Sequence, residues 1–211
     1  GDLVEDGWNP AHWEIFNEII APLLVIADFY PALGNHEANS PLYFENFSLP
    51  GNERWYTVDI QDIHFVILDS NIPIGVESEQ YQWLKNELIK MADLDVFLIV
   101  VFHHPPFSSG PHAEDEMGLR QTIVPLLETY GVDIVFNGHD HFYERSRVNT
   151  IYYVVTGGGG APLHDKKKEN PYSQVFYKKY HFCRLSVKDN QLIVDVYTKN
   201  LSKIDHFYIK K

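Results

Sequence analysis

Four short stretches of the chain carry side chains able to bind a metal ion, and each sits at a turn: Gly1-Asp2, Gly34-Asn35-His36-Glu37, His103-His104-Pro105 and Gly138-His139-Asp140-His141. A carboxylate such as that of Asp2 can place oxygens on two ions at once. His103, His139 and His141 offer neutral imidazole nitrogens, and Asn35 offers a carbonyl oxygen that adds no charge. His139 and His141 are two residues apart, so in an extended loop both rings project to the same side, where neighbouring ions can each take one. Mixed nitrogen and oxygen ligands favour iron, manganese or zinc over calcium or magnesium. Taken singly, Asp2 reads as a solvated charge or helix cap, His103 as a hydrogen-bonded histidine at a strand end, and Gly34-Asn35 as a turn. Their ordered occurrence at strand ends favours a shared pair of ions.

Loops this far apart meet only if a sheet gathers them. In open α/β sheets the ligand crevice lies beyond the carboxyl ends of the strands, and the last three blocks follow segments that read as strands: Phe29–Leu33, Val96–Phe102 and Val132–Phe136. The spacing of Trp13, Phe16, Ile19, Ile20, Leu23 and Leu24 predicts an amphipathic helix from Pro10 to about Ala27. Further helices are expected over Glu77–Met91, with Tyr81, Leu84 and Leu88 on one face, and over Glu116–Tyr130. Arg54–Ile60 and Ile63–Ser70, separated by Gln61-Asp62, predict a hairpin. After Ile151–Thr156 and the Gly157–Gly160 run come a Lys-rich polar loop and strands near Tyr180–Val187, Gln191–Thr198 and Asp205–Ile209. The expected class is α/β (α+β): a layered β-sandwich with flanking helices, one sheet carrying them and a late β-rich sheet packed against it. With no internal repeat and no linker, residues 1–211 read as a single domain.

The chain has 211 residues, 45% apolar and 22% charged, which excludes a disordered or collagen-like chain. Seventeen Lys and Arg against 29 Asp and Glu give a net charge of −12, which repels phosphate backbones and argues against nucleic acid as a partner. Cys183 is the only cysteine, so an internal disulfide and a cysteine-built zinc site are excluded, which fits a reducing compartment. In its expected strand it reads as an inert buried thiol. No apolar run approaches the ~18 residues of a membrane span, so a soluble chain with no membrane partner is expected. It starts at Gly1 without a leader, which leaves the cytoplasm and export both open. The Gly157–Gly160 run lacks the Lys-Ser/Thr ending of a nucleotide loop, and no G-x-S-x-G elbow is present. Tyr43, Trp55, Tyr56 and Tyr143 are candidates for a cleft mouth or for the core.

In this order the four blocks resemble the signature of the calcineurin-like metallophosphoesterases. The stretch DIVFNGHDHFYER from Asp133 to Arg145, with His103-His104-Pro105-Pro106-Phe107 and the glycine run, is most similar to the purple acid phosphatase branch. The resemblance implies a metal-dependent phosphatase that hydrolyses small phosphate monoesters by attack of a metal-bound hydroxide at a dinuclear centre. It implies that Asp2 bridges both metals, that Asn35, His103 and His139 complete the ligands of the second, and that His141 binds the first. His36 would stabilise charge or protonate the leaving group, and His112, nine residues after His103, would contact substrate from outside the metal shell.

Two departures from the pattern matter. The family's Asp-x-His block would lie ahead of Gly1, which leaves Asp2 and His141 alone for the first metal. An N-terminally incomplete domain, short of its first strand and crossover, is therefore expected. Glu5 stands three residues after Asp2, where purple acid phosphatases carry an iron-binding tyrosine, so their charge-transfer colour should be missing and the choice among iron, manganese and zinc stays open. Two rival readings remain: a phosphodiesterase acting on cyclic nucleotides or nucleic acid, and an inactive binding domain that keeps the fold.

Overall fold

In the computed structural model, which describes residues 1–211, Asn9 caps α1 (Pro10–Leu24), its side chain accepting from the Ala11 amide while Pro10 fills the first turn, where no N–H is needed. Ser40 caps α2 (Pro41–Asn46) in the same way. β1 (Tyr56–Ile60) and β2 (Ile63–Ile67) form the expected antiparallel hairpin, Ile60 facing Ile63 across the Gln61-Asp62 turn. α3 (Glu79–Met91) leads into β3 (Phe97–Val101), and α4 (Leu119–Thr122) and α5 (Val124–Thr129) lead into β4 (Ile134–Asn137). Then follow β5 (Tyr143–Val148), β6 (Ile151–Thr156), β7 (Ser173–Tyr177), β8 (His181–Lys188), β9 (Gln191–Thr198) and β10 (Lys203–Lys210).

Two sheets result: a seven-stranded one ordered β1-β2-β3-β4-β6-β5-β7, and a three-stranded one ordered β10-β9-β8. β2, β3, β4 and β6 run parallel at the centre of the large sheet. β3 and β4 are nearly continuous apolar runs because both of their faces are covered. On one face Val100 and Val135 pack with Leu84 and Leu88 of α3 and Leu127 of α5. On the other, Ile99, Ile134 and Val154 meet Leu192, Val194, Val196 and Phe207 of the small sheet. Each such fully buried side chain contributes on the order of 2 kcal/mol. These contacts fix β3 and β4 side by side in parallel, so His103 and His139, each two residues past its strand, emerge from the same sheet edge.

Three expectations are corrected. Phe29–Leu33 is not a strand. Pro31 has no N–H to offer, its carbonyl accepts from the Tyr43 and Tyr56 hydroxyls at 3.2 and 2.6 Å, and the Leu33 carbonyl accepts from the Asn71 amide at 3.3 Å, so side chains take the place of a ladder. The helix expected over Glu116–Tyr130 starts only at Leu119, after Gly118 in the left-handed region, and is split into α4 and α5. Pro125 has no N–H for the Gln121 carbonyl, which breaks the ladder there. On α1, Trp13 and Ile20 are buried as expected, but Ile19, Leu23 and Leu24 face outward. Tyr43, Trp55, Tyr56 and Tyr143 are all core residues. No helix is long and apolar enough to cross a membrane.

Candidate metal centre

His103 Nε2 lies 3.0 Å from Asp2 Oδ2, 3.0 Å from Asn35 Oδ1 and 3.1 Å from His139 Nδ1. Side chains from three distant segments thus converge on one ring nitrogen of a fourth. That nitrogen can donate or accept a single proton, so it cannot satisfy three polar neighbours at once. His103 Nδ1 and His139 Nε2 are in addition buried without a partner, a second cost. A cation among the four side chains removes the conflict, and a set of two imidazoles, one carbonyl and one carboxylate suits a divalent transition metal.

The electrostatics agree. Burial pushes His103 down to about 4, against the opposing hydrogen bond from Asp2, and burial with the neighbouring His103, His104 and His112 pushes His139 down to about 3. Both rings are neutral at pH 7, as metal ligands must be. Burial alone would raise the Asp2 carboxyl, but the hydrogen bond with His103, together with that from the His36 amide, holds it well below the usual carboxylate range. The backbone is also held in uncommon angles here: Asp2 has φ 57° and His139 φ 65°. Such strain costs on the order of 1 kcal/mol or more per residue and concentrates at functional sites.

Local structure explains why the strained Asp2 stays in place. Glu37, which is fully buried, accepts backbone N–H bonds from Asp2 at 2.8 Å, Leu3 at 2.6 Å and Gly34 at 2.6 Å. The carboxylate therefore ties the Asp2 turn to the Asn35 turn. Gly34 is required for their approach, since a Cβ there would lie 2.3 Å from Asp2 N and from Asp2 Oδ1.

The other anticipated residues lie around this cluster. The His36 amide donates to Asp2 Oδ1 at 2.9 Å, and its Nδ1 faces the Glu5 carbonyl at 2.7 Å. A carbonyl only accepts, so Nδ1 carries the proton and Nε2 is the free nitrogen. The His112 ring packs on His139 with centroids 3.9 Å apart, and its Nδ1 pairs with Glu116 at 3.1 Å. His141 is not drawn into the four-residue cluster. Its Nδ1 donates to the Pro162 carbonyl at 2.9 Å, its ring stacks on His164 at 4.0 Å, and its Nε2 lone pair is left uncommitted.

Four neighbours escaped sequence reasoning. Glu37 was visible as part of its block, but its role depends on burial. Asp140 is fully buried, accepts from the Ser108 hydroxyl, and lies 3.4 Å from the His112 amide, which binds the His112 loop to the histidine loop. His104 is buried beside His139 and exchanges hydrogen bonds with Ser70, at 2.8 Å to its ring and 3.1 Å from its amide. His164 comes from the polar loop, where nothing in the sequence marks it.

Comparison with known proteins points the same way. The Calcineurin-like phosphoesterase family model matches residues 1–143. The chain is 34% identical over 198 residues to purple acid phosphatase 18 of Arabidopsis thaliana, covering 81% of this chain and 45% of that protein. It is 27% identical over 177 residues to a phosphoenolpyruvate phosphatase of Allium cepa, covering 75% of this chain and 37% of that one. Among solved structures, purple acid phosphatase PPD1 from yellow lupin (Lupinus luteus) seeds superposes with a TM-score of 0.74 at 24% identity, over 88% of this chain and 38% of that chain. A dimetal phosphatase from Danio rerio superposes with a TM-score of 0.62 at 14% identity, over 97% and 80% of the two chains. At these identities the structural likeness concerns the fold. The chain spans about half the length, or less, of the curated relatives it matches.

Proposed function

Because the chain belongs to the calcineurin-like phosphoesterase family, we propose that it is a metal-dependent phosphatase acting on small phosphate monoesters, with residues 1–211 forming part of its catalytic domain. The observation that carries the reading is the meeting of Asp2, Asn35 and His139 around His103 Nε2 at 3.0–3.1 Å. On this reading Asp2, Asn35, His103 and His139 hold one metal, while Asp2 and the uncommitted Nε2 of His141 serve a second. Iron, manganese or zinc bound there supplies Lewis acidity, drawing charge from phosphoryl oxygens and acidifying water at neutral pH.

The chain's own side chains do the rest. His36, with its Nδ1 proton tied to Glu5 O, would relay a proton drawn from solvent through Nε2 to the departing alkoxide. His112, oriented by Glu116 through Nδ1, offers its Nε2 edge to the phosphoryl group. The Glu37 clamp keeps Asp2 in its strained conformation and so keeps the donors preorganised.

The test is metal analysis of the chain together with turnover of p-nitrophenyl phosphate and phosphoenolpyruvate, the latter chosen because one relative is named for it. Metal-dependent turnover that disappears in His139→Ala is expected. Equal turnover by the two proteins would refute the reading.

A further inference from the structure

We propose that His164 is a substrate-binding residue that donates its Nε2 proton to a phosphoryl oxygen of the ester, an inference that rests on the phosphatase reading above. Its ring stacks on His141 with centroids 4.0 Å apart and planes 23° from parallel, and its centroid lies 6.1 Å from that of His112. It therefore neighbours both the residue assigned to a metal and the one assigned to outer contact with substrate.

The ring is held in one orientation by a two-way tether. The His164 amide donates to the His141 carbonyl at 3.0 Å, and the His141 amide donates to His164 Nδ1 at 3.2 Å. A nitrogen that receives an amide proton must present a lone pair, so the neutral ring carries its own proton on Nε2. Asp140 Oδ1 lies farther from the same Nδ1, at 3.4 Å, and takes no proton from it in this tautomer. Nδ1 faces the buried Asp140 and the backbone, which turns the Nε2–H edge away from them, and the side chain keeps 26% of its surface exposed. A donor with a fixed direction and a remaining opening suits a phosphate oxygen. Lys166 and Lys168 of the same loop are paired with Glu169 and Glu114, so their charges are already engaged.

Two variants separate this role from support of His141. His164→Phe keeps a flat ring for the stack and removes both the Nε2–H and the Nδ1 acceptor of the His141 amide; His164→Gln restores an N–H donor and an acceptor oxygen without the stack. Three quantities are measured on the full chain loaded with manganese or zinc: KM and kcat for p-nitrophenyl phosphate, calorimetric affinity for inorganic phosphate, and bound metal. His164→Phe should weaken phosphate binding about ten- to hundredfold, the worth of one hydrogen bond to an anion, with a larger effect on KM than on kcat and no loss of metal. His164→Gln should recover most of that loss. Unchanged phosphate affinity in His164→Phe, or loss of metal along with affinity, would overturn the inference. If the unsubstituted chain turns over no ester, the phosphatase reading falls, and the phosphate-binding comparison still decides the role of His164. Absence of phosphate binding by the unsubstituted chain overturns both.

Discussion

Replacing Glu37 tests the link between the fold and the candidate centre most directly, because its carboxylate has no solvent exposure and bonds three backbone amides. Glu37→Ala leaves all three N–H groups without their acceptor. The Gly34 amide is fully buried and loses about 2 kcal/mol, while the Asp2 and Leu3 amides are partly reachable by water and lose about 1 kcal/mol each, for a total of about 4 kcal/mol. For a chain of this size that corresponds to a drop in Tm of about 8–16 °C. Glu37→Gln has a smaller and structurally defined effect. One carboxylate oxygen serves both Asp2 and Gly34 and the other serves Leu3 alone. The glutamine oxygen keeps the first pair, its NH2 meets the Leu3 N–H, and the loss is about 1–2 kcal/mol. Denaturant unfolding of the metal-free chain gives the two values, and metal titration gives the functional counterpart. Because the same amides hold Asp2 at φ 57°, metal affinity should fall in the same order, alanine far below glutamine. Equal damage from both variants, or stability and affinity within error of the unsubstituted chain, would refute the clamp.

Other outcomes follow from the same geometry. His103 is pushed from 6.5 to about 4 by burial. The metal-free fold therefore has this group's contribution intact above pH 6.5 and loses about 3 kcal/mol as pH falls toward 4, because the unfolded chain then binds the extra proton. Asp2, held low by His103, adds a further loss below pH 4. Unfolding curves across pH 4–7 that show a flat stability would contradict the burial argument. His139→Ala should lower metal affinity by more than the ~10–100-fold typical of outer-shell changes, read by competition with a chelator. His36→Ala should lower kcat by ~10²–10⁴ on an alkyl phosphate but much less on p-nitrophenyl phosphate, whose leaving group needs no proton; equal losses on both would argue against proton donation. Gly34→Ala should displace Asp2, since the new Cβ falls 2.3 Å from its amide and carboxylate, and should abolish metal binding while circular dichroism retains the sheet signal.

Much of this was legible in one dimension. Side-chain chemistry and strand periodicity marked β3 and β4 with His103 and His139 just beyond them, the β1–β2 hairpin, and the three strands of the small sheet, because covered strands read as apolar runs and exposed-face strands alternate. β5 and β7 escaped because Tyr143–Val148 carries Glu144, Arg145 and Arg147, whose charges hide the burial pattern, and Ser173–Tyr177 is only half covered. Residue type and order thus determined the likeness to a family and which donors were available. Tertiary structure alone decided the rest: that Phe29–Leu33 is pinned by tyrosine hydroxyls instead of a ladder, that Glu37 and Asp140 are buried anchors, and that His164 from a polar loop stacks on His141. Burial and through-space distance belong to pairs of residues far apart in the chain, and no single residue's neighbours in sequence encode them.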